Sequence, residues 1–138
     1  MLAQLQPELR SGRYVFATPA GPLPPTVRPV MTFSEDEGPT AILTQQEADE
    51  LRLAYDLVLA WITLRVRSAL DGVGLTAAVS RALTDVGISC NVVAAAFHDH
   101  LFVPAESADR AVQVLQALSV RHGSGRPDRP AGQGGVRR

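Results

Sequence analysis

The chain has no lysine, a single cysteine and no apolar run near the ~20 residues that a membrane-spanning helix needs. One thiol, Cys90, cannot build an internal disulfide framework or a cysteine-cluster metal site, and it reads as a buried, reduced side chain. All 13 basic residues are arginine; beside the many Ala, Gly and Pro residues this points to coding bias, and no function follows from it. A P-loop, a GxGxxG fingerprint and a zincin motif are missing too, and Ser68, Ser80 and Ser89 sit in no nucleophile elbow. The expectation is a non-catalytic protein without a cofactor. Met1 to Pro7 shows no basic segment followed by an apolar one, so no secretory signal is expected and a cytoplasmic location follows by default.

What is present is 46% hydrophobic, as expected of a water-soluble globular chain. Its 138 residues fit one typical domain or two very small ones sharing a core, because cores below roughly 60 residues are marginal alone. Charge is uneven: residues 1–120 hold 8 Arg against 13 acids, whereas 121–138 hold 5 Arg against Asp128. An acidic body with a short basic tail gives no broad footprint for nucleic acid. The tail, with Val136 as its one sizeable apolar side chain, cannot offset its ordering entropy and is expected to be disordered.

The second half carries the clearest pattern. Ala60, Ile62, Leu64 and Val66 share one parity while Thr63, Arg65 and Arg67 share the other, which predicts a strand with one packed and one wet face. After a turn at Asp71 to Gly74, Leu75, Ala78, Val79, Ala82, Leu83 and Val86 fall on one helical face, and Gly87 supplies a left-handed stop. Ile88 to Phe97 and His100 to Val103 read as a hairpin joined at His98-Asp99. A second helix is expected from about Pro104, with Ala108, Ala111, Val112, Leu115 and Leu118 as its apolar stripe and Glu106 pairing with Arg110. The order is strand, helix, strand, strand, helix.

The first half follows a looser version of that plan. Tyr14 to Ala17 reads as a strand, and Gly21 to Pro25 leaves room for at most a turn where a helix would come. Val30 to Phe33 and Thr40 to Leu43 read as a hairpin around the acidic turn Glu35 to Pro39. Thr44-Gln45-Gln46-Glu47 fits a capping box that opens a helix running to about Tyr55.

Leu70-Asp71-Gly72-Val73-Gly74-Leu75-Thr76, continued by Val86-Gly87-Ile88-Ser89-Cys90-Asn91-Val92, resembles the strand, turn, helix and strand of ACT domains. Asp99 to Pro104 resembles the final strand of tandem-ACT proteins that sense amino acids. The part holding Tyr14-Val15-Phe16 and Glu35 to Gly38 is similar to the divergent ACT module that precedes such a domain. The resemblance implies an α+β fold of two ferredoxin-like βαββαβ modules with antiparallel sheets and helices on one face, over residues 8–57 and 58–120, followed by the tail 121–138. It also implies an amino acid or related small molecule bound where the modules meet, and a regulatory output.

Several residues are candidates for that ligand. Gly72, Val73, Gly74, Leu75 and Thr76 form a glycine-containing turn opening a helix, whose free amides and positive dipole end suit a carboxylate; equally, the glycines serve the turn alone and Thr76 caps the helix. Asn91, polar in an apolar strand, needs a backbone or ligand partner. Asp99 stands where amino-acid-sensing relatives use an acid, or is simply a hairpin-turn residue. The family turn often has a further acid at the position of Gly72, and its absence weakens the case for a basic amino acid. His98 and His100 supply two imidazoles, too few for a zinc site, so no metal is expected. Two other readings stay open: an interaction module dimerising through a sheet edge, and an RNA contact through the arginine tail.

Overall fold

The computed structural model describes residues 2–65 and 72–121. Along the chain run strands β1 (Leu2–Gln4), β2 (Gln6–Leu9), β3 (Tyr14–Ala17), β4 (Met31–Glu35) and β5 (Gly38–Thr44), helix α1 (Gln45–Glu50) and strand β6 (Val58–Arg65). Helix α2 (Gly72–Asp85), strands β7 (Asn91–Ala94) and β8 (Asp99–Pro104), helix α3 (Ala108–Ala117) and strand β9 (Ser119–Arg121) complete it. Of the turn read at Asp71 to Gly74, Asp71 lies outside the described residues, as do Val66, Arg67 and the tail beyond Arg121, whereas Gly72 to Gly74 already belong to α2.

One antiparallel sheet organises both halves, in the order β4-β5-β3-β6-β8-β7, with β2 also on β6; β1 and β9 form a separate two-stranded ribbon. Strand β6 is common property. Its start pairs with β3, Val58 opposite Val15 and Leu59 opposite Tyr14, and its end pairs with β2, Ile62 opposite Leu9 through Arg65 opposite Gln6. Strands β2 and β3 therefore lie along one edge of β6, separated by a short break at Arg10 to Arg13. Gly12 turns that break with φ of 92°, a left-handed conformation that suits glycine. Each half thus borrows a strand from the other: β6 flanks β3 in the first, and β2 flanks β6 in the second.

All three α-helices sit on one face, as expected. Leu75, Val79 and Leu83 of α2 and Ala111 and Leu115 of α3 pack with Ala60, Ile62 and Leu64 of β6 and Leu101 and Val103 of β8. Under the first half, Ala48 of α1 packs with Val15, Ala17, Ala41 and Leu43, and Leu23 and Val27 of the proline-rich loop fill in where a helix is lacking. The apolar stripes expected of α2 and α3 pack under the second half, through Leu75, Val79, Leu83 and Val86 of the first and Ala108, Ala111, Val112, Leu115 and Leu118 of the second.

Four local expectations are corrected. The face of β6 opposite the helices is dry at its middle, not wet, since Thr63 is 0% exposed. Helix α1 ends at Glu50 instead of near Tyr55: Arg52 adopts φ of 54°, its N–H bonds Asp49 O at 3.1 Å and the Leu53 N–H bonds Ala48 O at 2.9 Å. That is a Schellman stop without glycine. Glu106 lies in a 3-10 turn, Ala105–Ser107, ahead of α3, so its spacing to Arg110 is not helical; among the described residues the only ion pair is Arg65 with Glu8. Asp99 is the first residue of β8, opposite Leu64 and Ala94, and the hairpin connection is Ala95 to His98.

The capping box is present: the Glu47 N–H donates to Thr44 Oγ1 at 3.1 Å and the Thr44 N–H to Glu47 Oε1 at 3.2 Å. Gly87 is the left-handed stop of α2, with φ of 74° and the Ile88 N–H bonded to Leu83 O at 2.9 Å.

Candidate ligand-binding site

Register places the side chains of β3, β5, β6, β7 and β8 on two faces. Tyr14, Phe16, Ile42, Leu59, Trp61, Thr63, Val93, His100 and Phe102 point away from the helices. No described helix covers this face, yet Ile42, Leu59, Thr63 and Phe102 are buried, because large rings shield one another. Tyr14 meets Trp61 edge to face at 5.3 Å, Phe16 meets Phe102 at 5.6 Å, and Trp61 lies nearly parallel to Phe102 at 6.0 Å. Such pairs add about 0.5–1.5 kcal/mol each beyond area burial.

The packing stops short of filling the face. A hollow of about 220 Å³ remains among Met31, Ile42, Trp61, Val93, His100 and Phe102, drawing its walls from both halves across the shared strand. It is smaller than the ~300–1,000 Å³ typical of drug-sized sites, and so suits an amino-acid-sized group.

A polar network leads from Trp61 and His100, which line the hollow, to Thr63 and Arg10, which do not. The Trp61 Nε1–H donates to His100 Nδ1 at 3.0 Å, Thr63 Oγ1 lies 3.1 Å from the same nitrogen, and the Arg10 Nε–H donates to Thr63 Oγ1 at 3.1 Å. The Arg10 guanidinium also rests over the Trp61 ring, 4.9 Å from its centroid, within cation–π range. Partial burial, with Arg10 and His98 adding repulsion against a weaker pull from Asp99, holds the His100 imidazole below its ordinary pKa. Glu8 is drawn down by its bond to Arg65, at 2.7 Å.

The residues singled out in the sequence do not all converge. Gly72 to Thr76 form the first turn of α2: Gly74 is exposed with open space around its Cα, Leu75 is buried in the core, and Thr76 is exposed. Asp99 shares the parity of Leu101 and Val103, so it faces the helix side at the end of β6 from which the chain leaves toward α2. Asn91 sits opposite Phe102 on the other face, exposed, its Nδ2 donating to Phe102 O at 3.5 Å. The helix turn and Asp99 thus occupy one end and one side of the sheet, and Asn91 the other side. The hollow and its His100, Trp61, Thr63 and Arg10 network were not singled out. Trp61 gave the available signal, a large apolar residue on the parity otherwise filled by Thr63 and Arg65.

Two ferredoxin-like halves locked through one strand, with helices on one face and an open hollow at the joint, define a tandem α+β module. Residues 1–60 match an ACT domain and residues 57–117 match a second ACT domain, so the chain belongs to the ACT-domain family. The two matches overlap at residues 57–60, where the shared strand begins. A protein of unknown function from Vibrio cholerae, described as a possible transport protein, is 42% identical with a TM-score of 0.75, covering 81% of this chain and 88% of that one. A protein from Agobacterium tumefaciens shares the fold at 18% identity, with a TM-score of 0.65 and 81% and 87% coverage. No curated protein matches the chain. ACT domains are regulatory modules that bind small ligands.

Proposed function

We propose that the chain is a non-catalytic, cytoplasmic sensor whose ligand is an amino acid. One observation carries this reading: the two ACT halves meet on a shared strand beside an unfilled hollow with a polar end, where solid packing would have left no room for a ligand. The resemblance offers a second seat, with the ligand carboxylate on the first-turn amides of α2, Gly72 to Thr76, and its ammonium near Asp99. A thermal-shift screen of the twenty amino acids tests the function wherever the ligand sits. At ~100 times the dissociation constant, binding stabilises the native state by about 2.7 kcal/mol, a rise of several degrees in Tm. If no amino acid moves the midpoint, the sensor reading fails.

One observation favours a second reading, a dimer paired through a sheet edge. Strands β4 and β7 end the sheet, Phe33 on β4 is 60% exposed, and Phe97 beside β7 is 92% exposed. Unpaired edges next to exposed rings invite a further strand. Sedimentation equilibrium with and without the Phe33→Glu change distinguishes a dimer of this kind from a monomer.

A further inference from the structure

We propose that the hollow on the helix-free face takes a small apolar monocarboxylate, with its carboxylate at His100, to which Arg10 is linked through Thr63, and its hydrocarbon body against Ile42, Val93 and Phe102. This rests on the amino-acid reading above, and within it names a leucine- or phenylalanine-like ligand whose ammonium must stay in water at the open mouth, since the lining holds no acid.

The lining decides the body of the ligand. Met31, Ile42, Val93 and Phe102 offer no charge, and Trp61 has its one N–H already given to His100. A lysine, arginine or glutamate side chain placed there would lose its hydration with no counter-charge on the walls, whereas a branched or aromatic side chain gains by leaving water. His100 decides the polar end. The indole can only donate, so Nδ1 is the acceptor, the neutral ring carries its proton on Nε2, and a donor is left on a residue that lines the hollow. Arg10 adds the charge: it stacks on Trp61 and bonds Thr63, and among the described residues no acid lies within ion-pair distance of it, Glu8 feeling its field while bonded to Arg65. A guanidinium without a carboxylate partner next to a donor imidazole is complementary to a carboxylate.

Trp61 is the only tryptophan of the chain and lines the hollow, so its emission reports occupancy. The full chain is titrated with L-leucine, L-phenylalanine, L-alanine, L-glutamate, L-arginine and 4-methylpentanoate, following Trp61 emission and Tm. The expected result is saturable change with leucine and phenylalanine, leucine binding on the order of 50-fold tighter than alanine because three more carbons are buried. Arg10→Gln should weaken binding roughly 10-fold by removing the positive charge beside His100. Val93→Phe, or Met31→Phe from the opposite wall should the first be poorly folded by circular dichroism, should abolish binding by filling the space. Asp99→Asn should leave it unchanged. If an amino acid raises Tm but Trp61 emission stays flat, and Asp99→Asn rather than Arg10→Gln destroys the effect, the hollow is overturned and the sensor reading stands. If only 4-methylpentanoate binds, with the same variant pattern, the hollow is upheld as a carboxylate site and the amino-acid reading fails. If no compound changes either signal, both fall.

Discussion

Trp61 and His100 are diagonal neighbours across the ladder of β6 and β8, and the indole N–H of the first donates to Nδ1 of the second at 3.0 Å. Protonating the ring would put a second donor on that nitrogen, facing the indole N–H with Arg10 close by. The bond therefore belongs to the neutral imidazole.

Stability should follow from this. The folded-state pKa of His100 is depressed by partial burial and by Arg10 and His98, so the unfolded chain binds its proton more readily. Stability is then fully present above about pH 6.5, the ordinary histidine value, and is lost as pH falls through the folded-state value. Urea midpoints between pH 5 and 8 should decline on the acid side in the wild type and decline less in His100→Asn. A histidine titrating at or above 6.5 by NMR would remove the basis of this expectation.

Cys90 packs against the helix-side core, and its burial pushes the thiol up to about 11. At neutral pH it is almost wholly protonated, and the thiolate is the reactive form. Ellman's reagent at pH 7.5 should label the native protein at least tenfold more slowly than the urea-unfolded chain. Equal rates would show that the side chain is open to solvent.

The reciprocal cap of α1 predicts that Thr44→Ala costs about 1 kcal/mol in denaturant unfolding, through loss of the bond from the Glu47 amide. At the other end of the helix, Arg52 occupies a left-handed conformation that costs a non-glycine residue about 1–2 kcal/mol. Arg52→Gly should stabilise the protein by part of that amount, because glycine also brings greater entropy to the unfolded chain. A lower midpoint for Arg52→Gly would mean that its side chain holds a contact worth more than the backbone relief.

Exchange of strands between the halves gives a fifth expectation. A fragment of residues 1–57 lacks β6, leaving β3 unpaired on one side, and a fragment of residues 58–121 lacks β2, leaving Ile62 to Arg65 open. Each is also near the size at which a core is marginal. Expressed separately, the fragments should show little tertiary structure by NMR, and mixing them should restore it. A dispersed spectrum from either fragment alone would contradict the interlock.

Much of the fold was legible where one residue type answers to one physical need. Gly87 announced the end of α2 because glycine is the residue at ease in a left-handed stop. The same motif after α1 uses Arg52, and a sequence offers no warning when an arginine accepts that conformation. Thr44 and Glu47 were readable as a local pair, whereas the capture of β2 by β6 joins positions more than fifty residues apart and leaves no local mark. The site was harder for the same reason. Gly72 to Thr76 stand together in sequence, but Arg10, Trp61, Thr63 and His100 meet only once three strands are in register. Thr63 in particular looked like a solvent-facing residue, since alternation assigns a face but not what neighbouring strands lay over it.

The strand common to both halves leaves no natural place for a hinge. Lobes tied by a loop can swivel, but here rotation of one against the other would break a continuous ladder of main-chain bonds. A molecule seated beside β6 would instead alter the twist of a single plate. Its message would emerge at the rims, β4 and β7, and any partner that reads it should be sought there.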